Sequence, residues 1–174
     1  MADIPDGIVV SRDRDLVGRR HGIWLRRVVL ALLATISALA LANLFGQRPQ
    51  TLEAGAAVAD LQAEAPARVR AGLLFQARFR ITAHQVIRRA RLVLEPGWLE
   101  SMSISTIEPA PSEETSDEGR LSLELGRISG GSTYTLFMQF QTNPTNVGHR
   151  EASVTLFDGS REIAHINRSI TIFP

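Results

Sequence analysis

A run of nineteen uncharged residues, Val28 to Gly46, follows directly on Arg26 and Arg27. At ~1.5 Å of rise per residue, a helix of that length spans about 30 Å, the thickness of a hydrocarbon layer. Read at helical spacing, the run is apolar on every side. Only Thr35, Ser37 and Asn43 interrupt it, and a short hydroxyl can return its hydrogen bond to its own helix. A helix with no polar face is a core helix of a large protein or a membrane span. The roughly 125 residues that follow are too few to wrap it. The run therefore predicts one transmembrane helix, placed at residues 24–46.

Charge gives that helix a direction. The twenty-seven residues ahead of the run carry Arg12, Arg14, Arg19, Arg20, Arg26 and Arg27, whereas the far flank has Arg48 and then no basic residue until Arg68. Basic residues near a span stay on the cytoplasmic side. The sequence thus predicts a single-pass protein of the cell membrane, with a cytoplasmic N-terminus and an extracytoplasmic C-terminal part. Arg19, Arg20, Arg26 and Arg27 are the topology residues and lie against anionic headgroups. Trp24 is placed at the inner headgroup level and Phe45 near the outer boundary. Residues 1–23 have too few apolar side chains to fold alone and read as a disordered basic tail. A cleaved signal peptide is the rival reading, because Ala40-Leu41-Ala42 before Asn43 fits a small-x-small cleavage site. Either way, the C-terminal part crosses the membrane. Ala31, Ala34, Ala38 and Ala42 form a small-residue stripe that could admit a second helix. The plainer explanation is that alanine is common in such spans.

The rest of the composition narrows the classes. All nineteen basic residues are arginine, and there is no cysteine. Disulfides and thiolate chemistry are excluded. From Arg48 onward thirteen arginines face fourteen acids. A nucleic-acid binder would show a basic excess there, so no nucleic-acid partner is expected.

After the helix, Gln47-Arg48-Pro49-Gln50 is a polar exit with a proline that stops a helix. Residues 47–67, rich in alanine and glutamate, read as a linker. A short helix, or a spacer ending in a first strand near 57–61, are both compatible with them. From Arg68 the period becomes two. Leu73, Phe75, Ala77, Phe79 and Ile81 alternate with Gln76, Arg78, Arg80 and Thr82. Further strands are predicted over about 86–95, 99–107, 121–125, 134–140, 152–156 and 166–172. Pro96-Gly97, the polar stretch 108–119, Gly130-Gly131, Asn143-Pro144 and Asp158-Gly159 separate them. About seven short strands with no helical repeat between them predict an all-β fold, an antiparallel two-sheet sandwich of about 110 residues over 68–174.

The stretch Leu125 to Leu136, with Gly130-Gly131 between a leucine strand and an alternating strand, resembles bacterial immunoglobulin-like modules. Gly148, Ala152-Ser153-Val154-Thr155 and Asp158-Gly159 are similar to the rest of that pattern. The resemblance covers about residues 68–174 and implies an Ig-like adhesive, spacer or accessory domain. One copy, where such modules often stand in tandem, argues against a long stalk. Fold does not fix function.

No reaction is written into the remaining residues. His84, His149 and His165 are not closely spaced, so they read as surface or turn histidines rather than as metal ligands. Glu108, Glu113, Glu114, Asp117 and Glu118 crowd one loop but lack the alternation and central glycine of a calcium loop. Acid–base cleavage of a sugar would need a carboxylate on each side of a cleft. No serine sits in a Gly-x-Ser-x-Gly setting, and Gly130-Gly131 lacks the lysine of a phosphate loop. No cofactor, metal or catalytic residue is expected. Asn167-Arg168-Ser169 matches a glycosylation sequon, without consequence in a bacterial chain. The candidate interaction surface is basic: Arg78 and Arg80 project from one strand, Arg89 and Arg91 from the next. If those strands are neighbours, four guanidiniums share a face suited to phosphate or carboxylate. Otherwise outward arginines serve solubility and pair with acids nearby. The sequence points to a bitopic, non-catalytic module whose partners are the lipid bilayer and a membrane or envelope protein. The alternatives are a small subunit of a larger transporter or enzyme complex, a secreted sandwich cleaved near Ala42, and an enzyme.

Overall fold

The computed structural model describes residues 20–42, 47–145 and 147–174, in two units, one up to Phe45 and one from Gly46. The first unit holds α1 (Arg20–Leu41), a helix of 22 residues. Gly22–Leu41 is long and apolar enough to cross a membrane. The helix starts earlier than the predicted 24, because arginine is a good helix former and the basic flank continues the helical turn. It ends at Leu41, before the predicted 46. From Gly22 onward every described side chain on it is exposed. Thr35 returns its hydroxyl to the Ala31 carbonyl at 2.8 Å, so this polar group needs no outside partner. Arg12, Arg14, Arg19, Asn43 and Phe45 lie outside the described residues.

The second unit is built of strands. In chain order they are β1 (Pro49–Gly55), β2 (Ala59–Pro66), β3 (Arg68–Arg70), β4 (Leu74–Ala83), β5 (Ile87–Leu94), β6 (Met102–Glu108), β7 (Glu113–Asp117), β8 (Arg120–Ile128), β9 (Thr133–Thr142), β10 (Gly148–Glu151), β11 (Val154–Asp158), β12 (Arg161–Ile166) and β13 (Ser169–Phe173). One sheet has the order β1-β2-β4-β9-β6, and the facing one β12-β11-β5-β8-β7. A third, small sheet runs β10-β13-β3. The all-β sandwich predicted from periodicity is the architecture found.

Period-two alternation fills the space between the sheets. Phe75, Ala77, Phe79, Ile81 and Ala83 of β4 are buried, as are Leu136, Met138 and Phe140 of β9. They meet Ala90, Leu92 and Leu94 of β5, Leu121 and Leu123 of β8, and Val154 and Leu156 of β11 in one hydrophobic cluster. Trp98 plugs it. Its indole is fully buried, lying 5.5 Å from Phe79 and 5.2 Å from Phe140 between ring centroids. It sits in a single 3-10 turn, Pro96–Trp98. Gly97 must be glycine there, since a Cβ would fall 1.9 Å from the Glu151 carbonyl oxygen.

Several expectations are corrected. Residues 47–67 are not a linker: β1 and β2 pair along their full length and form the edge of the first sheet. Their alanines hid them, because alanine has a low strand preference. Small side chains fit here, where Ala59, Ala63 and Ala65 are buried and β12 packs against β1 and β2. The acidic loop contains β7, an edge strand with every residue exposed, so no alternation marks it. The last predicted strand is two, β12 and β13, broken at Asn167-Arg168. Among the described residues the strands number thirteen rather than about seven, and they are not all antiparallel, since β13 runs parallel to β3. Leu73 lies in the turn before β4 and is exposed, not inward.

The Asp158-Gly159 hairpin forms as predicted, joining β11 to β12 with Gly159 at φ +62°. Asp158 also accepts hydrogen bonds from the backbone N–H groups of Arg88 and Arg89, at 3.0 and 2.9 Å. Those two residues lie where β5 slips register against β8, between Ile87 and Ala90. The carboxylate thus holds an irregularity that no ladder bond satisfies. Asp158→Ala should lower stability by ~1–2 kcal/mol, read as a fall in the denaturation midpoint at unchanged slope.

Candidate interaction surfaces

The four arginines do not form one patch. Arg78 and Arg80 stand on β4 in the first sheet, whereas Arg89 and Arg91 belong to β5 in the facing sheet. The chain crosses the sandwich between them, through the turn at 84–86, so the condition for a shared face fails.

Each pair instead has local partners. Arg78 donates to Glu64 on β2 at 3.0 Å and lies 5.2 Å over the Phe137 ring of β9. Arg80 donates to Gln62 at 3.3 Å, and Gln62 in turn bonds Glu53 of β1. Arg91 lies 5.0 Å over Phe157 of β11, 3.9 Å from Glu124, and donates to the Gly159 carbonyl at 3.1 Å. Both sheets thus repeat one device, an arginine flattened over a cross-strand aromatic with a carboxylate beside it. Such half-exposed pairs contribute ~0–1 kcal/mol each. Their main effect is to keep the outer faces polar and ordered.

The outer face of the second sheet is concave. A shallow hollow of about 440 Å³ is lined by outward side chains of β5, β7, β8 and β11. Its charges are Arg91 and Arg120 against Glu95, Glu113, Asp117 and Glu124. Arg120 donates to Glu95 at 3.0 Å, and this bond with its charge raises the guanidinium pKa. Glu95 and Glu124 are therefore already paired. The remaining acids sit on β7. Glu118 lies in the β7–β8 turn at φ +48° and Glu108 at the end of β6.

The histidines are dispersed. His84 meets Asp60 at 2.9 Å, His149 meets Thr171 at 3.2 Å, and His165 meets Thr155 at 2.8 Å. Among the described residues, no three His, Asp or Glu side chains gather as a metal site would require.

One charged residue escapes sequence reasoning. Arg168, which the sequence marks only as the middle of a sequon, is 5% exposed. Its Nη2 donates to the carbonyls of Ala65 and Pro66 at 3.2 and 3.0 Å, and its guanidinium lies 5.2 Å over Trp98. Burial pushes its pKa down to about 10, which leaves it charged at neutral pH. It ties the β2–β3 corner to the aromatic plug. A lone arginine between two strands gives no periodic signal, so nothing in the sequence announces it.

Of the topology residues, Arg20 opens α1, and Trp24, Arg26 and Arg27 follow within its first turns. The Arg27 guanidinium lies 6.0 Å from the Trp24 ring centroid.

The chain matches no family model, and no curated protein matches it. Solved structures do match. The CARDB domain of a Pyrococcus furiosus protein, crystallised in complex with di-metal ions, shares 9% identity over 72% of this chain and 94% of its own, with a TM-score of 0.35. The GH20 exo-β-N-acetylglucosaminidase of Vibrio harveyi, in complex with N-acetylglucosamine, shares 13% identity over 73% of this chain, with a TM-score of 0.28. The matched region is 18% of that enzyme.

Proposed function

We propose that the chain is a single-pass membrane protein, with its N-terminus in the cytoplasm, which presents the β-sandwich outside the membrane as a non-catalytic binding module. One observation carries this reading. Gly22–Leu41 is long and apolar enough to cross a membrane, with every described side chain on it exposed, and the buried cluster described in the sandwich runs from Ala59 to Ile172. A helix apolar on every side needs an apolar solvent, and lipid supplies it. The partner is a membrane or envelope protein meeting one of the two polar sheet faces. The ion-paired carboxylates and scattered histidines favour binding over catalysis. The near balance of arginines and acids from Arg48 onward argues against nucleic acid.

A second reading has its own support. The helix stops at Leu41, inside the Ala40-Leu41-Ala42 cleavage pattern, so removal of the helix would release a secreted sandwich. The mass of the mature protein separates the two readings. An intact chain of 19.1 kDa that resists alkaline carbonate extraction supports the anchor, and a chain beginning near Asn43 in the soluble fraction overturns it.

Orientation has a separate test. Replacing Arg26 and Arg27 with glutamate removes the two cations nearest the span and should reduce the inside-N bias. Protease added outside sealed cells should then reach the sandwich in a smaller share of molecules. Unchanged accessibility would show that these two arginines do not set the direction.

A further inference from the structure

We infer that the end of the sandwich where β1 begins is a lipid-contacting rim, formed by Leu73, Leu74 and Val147, which enters the headgroup region of the outer leaflet. The inference rests on the anchored reading above. Among the described residues of the sandwich, the large apolar side chains left exposed are Leu73 at 48%, Leu74 at 50%, Val147 at 49% and Val86 at 44%. Three of the four lie where the turn into β4, with Leu73 in it and Leu74 opening the strand, meets the segment between β9 and β10. Thr142 donates through its hydroxyl to the carbonyls of Arg70 and Leu73, at 3.1 Å each, and through its N–H to Leu73 at 3.2 Å. Gly72, at φ +78°, lets the turn lie against Pro144, whose Cγ would be 3.5 Å from a Cβ at that position. The leucines are therefore held outward by a stapled turn rather than left there by a slack one.

The strand directions place this rim. β1 and β4 both pair antiparallel with β2, so they run the same way. Pro49 and Leu74 thus start from the same end of the sheet. Residues 43–48 lie between Ala42 and Pro49, a stretch that reaches no more than about 25 Å when fully extended. An end so tethered to a membrane span stays within reach of the interface. Single exposed apolar residues are ordinary on a protein surface, but three gathered at one end of the sandwich suit the boundary between headgroups and acyl chains. Arg70, exposed at the end of β3 beside that turn and donating through Nε to the Pro174 carbonyl at 3.2 Å, matches the phosphates there. Val86 lies in the β4–β5 turn at the opposite end and serves as the internal control.

The chain has no cysteine, so single-cysteine variants can be labelled cleanly. Leu74→Cys, Val147→Cys, Val86→Cys and Leu32→Cys would each carry an environment-sensitive fluorophore, in the full chain reconstituted in nanodiscs with and without doxyl-labelled lipid. We expect quenching and a blue-shifted emission at 74 and 147, the same but stronger at 32, and neither at 86. Solvent-like emission at 74 and 147 with quenching at 32 would overturn the rim and leave the anchor standing. An unquenched probe at 32 would remove the anchored reading and the rim with it. Because 74 and 147 are exposed positions, their thermal transitions should match that of the parent chain.

Discussion

Trp98→Ala is expected to lower the stability of the sandwich by ~3–5 kcal/mol, the cost of removing a fully buried large aromatic. The indole does more than fill volume. It stands between Phe79 and Phe140, and its face receives the Arg168 guanidinium. With the ring gone, a buried charge loses the surface that compensates part of its desolvation. For a domain of this size the thermal midpoint should fall on the order of 10–20 °C. Trp98→Phe is the informative control. It keeps an aromatic plug and discards the indole N–H, which is buried without a hydrogen-bond partner among the described residues. Its cost should be much smaller. Equal melting of the Ala variant and the parent would mean that the aromatic cluster does not organise the core.

The second large effect concerns the helix. Leu32→Arg combined with Ile36→Arg places two cations near the middle of Gly22–Leu41. Each arginine at a span centre costs ~3 kcal/mol relative to leucine or isoleucine, so together they shift partitioning by about four orders of magnitude. The variant should be released by alkaline carbonate, where the parent stays with the membrane. The melting of the sandwich should not change, because the buried residues described in its core run from Ala59 to Ile172. Retention of the variant in the bilayer would show that something other than this helix holds the protein there.

The readable parts of the fold are those with a repeating burial pattern. β4 alternates over its ten residues and β9 from Thr135 to Thr142, and their buried apolar positions are the ones that periodicity selects. The Asp158-Gly159 turn is legible because its chemistry is local. β2 is not, since its inward set is alanine on three of four positions, and hydrophobic contrast is weak there. β7 is exposed on both faces and offers no contrast at all. The arginine patch fails for another reason. The outward direction of Arg78, Arg80, Arg89 and Arg91 follows from local spacing, but whether two strands share a sheet depends on the crossing at 84–86, which spacing does not encode. Arg168 shows the same limit from the inside, as its partners Ala65, Pro66 and Trp98 are far away in sequence and meet it only after folding.

The strand order also bears on how the protein can be made. β9 separates β4 from β6, and β13 separates β3 from β10. A ribosome therefore delivers both neighbours of β9 before β9 itself, and β3 long before β13. Until residue 142 emerges, β4 has one open edge, and until residue 173 emerges the small sheet has no middle. Pairings between such distant segments form slowly, and open edges recruit other chains. Until β13 has been synthesised, those edges stay open to mispairing.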